Sequence, residues 1–246
     1  ALLEGASWWN EAFEAIGYRD AYQVRLLPQG ADPLDVRYNV IQWVHRSTRG
    51  WSYGSTITDP RTGEILKGHV SLGSQRVRQD YMIAEALLAP YKDGSPGEYR
   101  MKDMSLARLR QLSAHEVGHT LGFMHNYVAS ADSLSSVMDY PHPLVKLDED
   151  GNISLADAYD TGIAKWDKVY VAYGYQDFPE GTDEEEALQE ILDSARESGL
   201  RFLSDQDARP EGSAHPNTHL WDNGSDAVAE LERILLIREK VLKQFS

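Results

Sequence analysis

Apolar residues recur along the chain with two different periods, and the alternation between them lays out the elements. Residues 4–16 place Trp9, Ala12, Phe13 and Ile16 at helical spacing, and Gly17 follows as a natural helix end. Residues 22–27 alternate apolar with polar, and residues 38–44 are nearly continuously apolar, so both read as strands on either side of the Gly30-Ala31-Asp32-Pro33 turn region. Two further strand-like runs, 53–58 and 64–72, flank Asp59-Pro60-Arg61-Thr62-Gly63, whose Pro and Gly suit a β-hairpin turn. From 75 to 88 the apolar positions Val77, Tyr81, Ala84 and Leu88 return every three or four residues, and Pro90 stops the pattern.

A Gly/Pro/Asp loop at 92–97 leads into a third helical segment, 105 to about 121, with Leu106, Leu109, Leu112 and Val117 near one stripe. Beyond His125 the chain reads as loop until Leu155. It then resumes as helices at about 156–173, 183–198 and 226–242. The pattern predicts an α+β protein, with strands and one chemistry-bearing helix in residues 1–122 and a mainly helical part in 123–246.

The 246 residues, 41% of them hydrophobic, can bury one sizeable core. No apolar run approaches the roughly 20 residues needed to cross a bilayer, and the amino end carries no export signal. Acidic residues outnumber basic ones 39 to 24, and the net charge of −15 opposes binding to nucleic acid. With no cysteine, thiolate chemistry and disulfides are excluded, and any metal must be held by His, Asp or Glu.

One stretch answers that requirement. His115-Glu116-Val117-Gly118-His119-Thr120-Leu121-Gly122-Phe123-Met124-His125 is an H-E-x-x-H-x-x-G-x-x-H string. On a helix, positions i and i+4 lie about 40° apart, so His115 and His119 project from one face. His125 can return to the same point only if the helix ends sharply, and Gly122 accepts the left-handed conformation that ends it. Three neutral imidazoles leave a zinc ion an open position for water, the arrangement of a catalytic site. Glu116 stands beside the ligands without having to ligate.

This string, with Ser136-Val137-Met138-Asp139-Tyr140-Pro141 downstream as a Met-turn, resembles the metzincin clan of zinc metalloproteases. The resemblance implies a twisted mixed β-sheet with the active-site helix in the N-terminal part, Met138 as an apolar floor beneath the metal and Tyr140 as a hydrogen-bond donor to the developing oxyanion. It implies Glu116 as general base for water activated by one zinc ion, with a protein or peptide substrate extended along an edge of the hairpin. Asn126, after the third histidine, matches none of the Glu, Asp, Pro or Ser found there in the common subfamilies. Residues 8–13, 59–64, 160–175 and 202–209 are instead similar to a bacterial family of large exported zinc metalloproteases, which implies export. Metzincins place a strand before the first long helix, so the resemblance also implies that this sequence begins inside the domain and leaves a sheet edge bare.

Other sites are weaker. His215 and His219 are four apart, but Pro216 argues for a loop. Asp148-Glu149-Asp150-Gly151-Asn152 is half of a calcium loop with Lys146 where the first carboxylate belongs. His45, His69 and His142 stand alone, and Asp205, Asp207 and Asp222 are too scattered to assign. Two alternative functions compete with an endopeptidase: an inactive zinc-binding module, and a zinc hydrolase of non-peptide amides or esters.

Overall fold

The apolar stripe at the amino end forms two short helices where the spacing predicts one. In the computed structural model, α1 (Leu2–Ser7) and α2 (Trp9–Ala15) meet at Trp8, and Ala6, Trp9, Ala12 and Phe13 are buried. The structure describes residues 1–48, 50–88, 98–132, 134–208, 210–212 and 215–244. Pro90 and the 92–97 loop lie outside the described residues.

The strands β1 (Val40–Val44), β2 (Tyr53–Thr58) and β3 (Ile65–Gly73) form one sheet in the order β1-β3-β2. β2 and β3 are the expected antiparallel hairpin, whose turn closes through Gly63 N–H to Asp59 O at 2.8 Å, with Gly63 at φ +77°. β1 runs parallel to β3, so the sheet is mixed.

The strand expected at 22–27 does not form. Tyr22 and Val24 pack inward on the core and Tyr22 stacks on Phe13, while Gln23 and Arg25 face out. The alternation reports one-sided burial of an extended chain, which needs no ladder partner.

After the sheet come α3 (Gln75–Leu88) and the long α4 (Glu98–Thr120). α4 lies against α1 and α3 and across β2 and β3. It starts well before residue 105 because Met101 and Met104 continue its buried side. The remaining elements are β4 (Lys146–Leu147), β5 (Ile153–Ser154), α5 (Lys165–Tyr175), α6 (Glu184–Glu197), α7 (Asp205–Ala208) and α8 (Ala227–Gln244). β4 and β5 pair around the 148–152 turn, where Asp148 caps the backbone N–H of Asn152 and the acidic side chains face solvent. α5 begins later than the expected 156, since Leu155, Ala158 and Tyr159 are buried in irregular chain before Gly162 at φ +90°.

Two apolar clusters organise the molecule. The first joins Trp9, Phe13, Leu72, Val117, Phe123, Met138 and Val171, from α2, β3, α4, α5 and the loop between α4 and β4. The second joins Ala84, Met104, Ile153, Tyr159 and Ile237, and fastens α3 and α4 to α8. The fold is thus α+β, and α4 is its central rod. Among the described residues, no helix is long and apolar enough to cross a membrane.

Candidate metal centre

α4 ends in a Schellman arrangement: Phe123 N–H bonds Gly118 O at 3.0 Å, Gly122 N–H bonds His119 O at 3.1 Å, and Gly122 takes φ +90°. That reversal returns His125 to the face from which His115 and His119 project. One ligand atom from each of the three lies within 4.8 Å of the others, the one such group of three metal-competent side chains found among the described residues.

Each ring is oriented through its far nitrogen. His115 Nδ1 lies 2.8 Å from Val137 O, His119 Nδ1 2.9 Å from Phe123 O, and His125 Nδ1 2.7 Å from Asp205 Oδ2. Acceptors at all three positions put the proton on Nδ1 and leave every Nε2 with a bare lone pair. His119 Nε2 and His125 Nε2 nonetheless sit 3.1 Å apart. Two lone pairs at that distance repel unless they share a cation, and tetrahedral ligands at about 2.0–2.1 Å from zinc would be roughly 3.4 Å apart. Burial, then the neighbouring imidazoles, hold His115 well below its ordinary value; burial also lowers His119. Both are therefore neutral, as metal ligands must be. The donor set fits a zinc ion.

Glu116 is buried beside this group without joining it. Burial pushes its acid up to about 7, against the Gly54 backbone N–H and the Arg108 guanidinium, which favour the carboxylate. β2 comes this close because residue 54 is glycine: a Cβ there would lie 2.0 Å from Glu116 O. The Tyr140 ring stands 4.6 Å from that of His125 and 5.4 Å from that of His115, centroid to centroid. Trp221 stacks on Tyr140 at 5.2 Å, donates its backbone N–H to the Tyr140 carbonyl, and holds φ +63°, a left-handed conformation rare for a large side chain.

Met138 is fully buried beneath α4. A Cβ on Gly118 would sit 2.2 Å from Met138 Sδ and 2.8 Å from Trp9 Cζ2, so the second x of H-E-x-x-H is glycine because the floor reaches the helix backbone there. Val137 O, which orients His115, also accepts from Gln111 Nε2 at 3.0 Å. Asp167 on α5 fixes the loop itself: it accepts from Ser136 Oγ at 2.7 Å, from Val137 N–H, and from Ala164 N–H at 2.7 Å.

Burial lifts the Asp167 acid from 3.8 to about 6, opposed by the bonds from Ser136, Ala164 and Val137. An acid whose folded value is raised stabilises the fold below the unfolded value, and that contribution is lost as pH rises through the folded one. Asp167→Asn cannot ionise. The stability of the native protein relative to this variant is therefore expected to rise, by on the order of 2 kcal/mol, between pH 7 and pH 4. Denaturant titrations at the two pH values measure it, and a change of opposite sign would refute the assignment.

Several side chains that the spacing left unassigned have places here. Asp205 reaches His125 from 80 residues along the chain, Asp222 accepts from Ser130 Oγ at 2.9 Å, and Asp207 caps Ser204 N–H at the start of α7. Trp221, Tyr127, Asp167 and Gly54 carried no signal in the apolar pattern. Neither His215 nor His219 joins a metal-competent group among the described residues; both are exposed, and the Nδ1 of each pairs with the local backbone. His142 bonds Pro143 O, away from the three.

Helix, glycine reversal and methionine floor together define a metzincin-type centre. The chain belongs to the Met-zincin family, whose model matches residues 97–246, and membership places it among zinc metallopeptidases in general. No curated protein and no solved structure matches the chain significantly.

Proposed function

We propose that the protein is a zinc-dependent endopeptidase in which His115, His119 and His125 hold one zinc ion and Glu116 is the general base. The convergence of three bare Nε2 atoms beside a buried, non-ligating carboxylate carries this reading. When bound, the ion supplies Lewis-acid polarisation of a water and of the scissile carbonyl. Glu116 takes the proton of the attacking water and passes it to the leaving amine, a task favoured by its acid lying near 7.

Tyr140 donates its hydroxyl to the oxygen on which charge develops, and Trp221 steadies its ring. Substrate lies extended along the edge strand β2, whose partner on one side is β3 and whose face packs on the helix carrying the ligands. The cleft divides the chain at Gly122 into parts 1–122 and 123–246, with Met138 as floor. A bacterial protein working outside the cytoplasm, in the periplasm or the medium, is the setting implied by the resemblance noted above.

The test is digestion of an unfolded protein by the zinc-loaded chain, with cleavage sites mapped. Internal cleavage, abolished by a chelator and restored by zinc, is the expected result. One bound zinc without cleavage would make this a binding module, and hydrolysis of acyl esters but not peptides would make it a different hydrolase.

A further inference from the structure

The three imidazoles are not held alike. His115 and His119 are placed by the backbone of α4 and orient on carbonyl oxygens. His125 stands beyond the helix on irregular chain, so its position has to come from side chains.

A clasp supplies it. Asn126, fully buried, uses both ends of its amide on one distant segment: Nδ2 donates to Arg201 O at 3.0 Å, and Oδ1 accepts from Leu203 N–H at 3.1 Å. Tyr127 N–H then bonds Leu203 O at 2.8 Å, which makes a short strand-like pairing of 126–127 with 201–203. The backbone N–H of Asn126 bonds Met138 O at 3.0 Å, so the clasp is also tied to the floor of the site. Two residues past Leu203, at the first position of α7, stands Asp205.

Both oxygens of that carboxylate are engaged. Oδ2 lies 2.7 Å from His125 Nδ1 and Oδ1 accepts from the Tyr127 hydroxyl at 2.8 Å. The hydroxyl itself is 2.9 Å from His125 Nδ1, and the two rings stack at 5.0 Å. Asp205 approaches the nitrogen that faces away from the convergence point and is not one of the three converging groups.

We propose that Asp205 is the positioning residue of His125, delivered by the pairing that Asn126 and Tyr127 make with residues 201–203. A carboxylate on Nδ1–H fixes the tautomer, aims the ring and makes Nε2 more basic, and loss of such a partner costs about 10–100-fold in metal affinity. The inference also gives Asn126 its reason: an acid at that position has no N–H to offer Arg201 O, so the segment bearing Asp205 would be fastened at one point fewer.

This inference rests on the zinc reading above, and the test separates the two. Zinc dissociation constants are measured by competition with a chromophoric chelator for the native protein, Asp205→Asn and Tyr127→Phe. Visible spectra of the cobalt-substituted forms and melting of the metal-free forms accompany them. The expected result is that Asp205→Asn weakens zinc binding by about 10–100-fold and alters the cobalt spectrum while metal-free melting is unchanged. Tyr127→Phe, which keeps the ring and removes one bond to Asp205, gives a smaller loss of the same kind. Wild-type affinity and an unaltered spectrum in Asp205→Asn would overturn the positioning role alone. Failure of the native protein to bind one zinc would remove the metal site and this inference with it. Should Asp205→Asn not fold, Tyr127→Phe decides: weakened binding supports the clasp, and native binding refutes it.

Discussion

Glu116→Gln keeps its zinc and its fold and loses about 10²–10⁴-fold in kcat/KM for peptide hydrolysis. The substitution is nearly isosteric, and the side chain is not one of the three converging groups, so metal content is unaffected. The amide oxygen still faces the Gly54 N–H. What the amide cannot do is accept a proton from the attacking water. Stability holds or rises slightly, because burial disfavours the carboxylate strongly enough to lift its acid to about 7, and an amide escapes that cost. A fluorogenic peptide assay beside metal analysis gives the answer. Activity within a few-fold of native, at full zinc occupancy, would mean that another group takes the proton.

Legibility in the sequence followed the range of the contacts. The spacing of His115 and His119, and the need for Gly122, are consequences of helix geometry within eleven residues, so the string alone carried them. The hairpin was equally local, since its turn residues announce it. Asp205 was different: its value depends on a chain reversal that brings together residues 80 apart, and no periodicity encodes that. Asp167, 30 residues from the loop it pins, is the same case.

Small residues were legible only in part. Gly122 could be assigned because a helix end demands a particular φ. Gly54 and Gly118 could not, because what they avoid is another element, Glu116 O in one case and Met138 with Trp9 in the other. Residues 22–27 show the converse: period-two burial does not require strand pairing, and Tyr22 and Val24 owe their pattern to side-chain packing alone.

Gly54→Ala tests how tightly fold and chemistry are joined, and it is expected to destabilise the protein by about 3 kcal/mol, lowering Tm by roughly 6–12 °C. The added Cβ would lie 2.0 Å from Glu116 O, 2.8 Å from Glu116 C and 3.1 Å from His119 Cβ. The first two atoms belong to the backbone of α4, packed on its other sides by α1 and α3, so the helix cannot retreat. β2 must move instead, and β2 is held on one side by β3 alone. Its displacement carries the Gly54 N–H away from Glu116 and shifts the strand proposed to align substrate, so kcat/KM falls together with stability. Gly68→Ala is the graded comparison: its Cβ would meet Thr120 Cβ at 2.7 Å, a smaller overlap than that at Gly54 and against the last residue of α4, so its cost is smaller. Gly63→Ala is the control for backbone strain without contact, because φ is +77° and nothing lies within 4 Å; it costs about 1–2 kcal/mol and leaves hydrolysis alone. Denaturant unfolding and peptide turnover on the three variants order them as Gly54, Gly68, Gly63 in loss of activity. If Gly54→Ala unfolds within 1 kcal/mol of the native protein, the close approach of β2 to α4 is not what couples the sheet edge to Glu116.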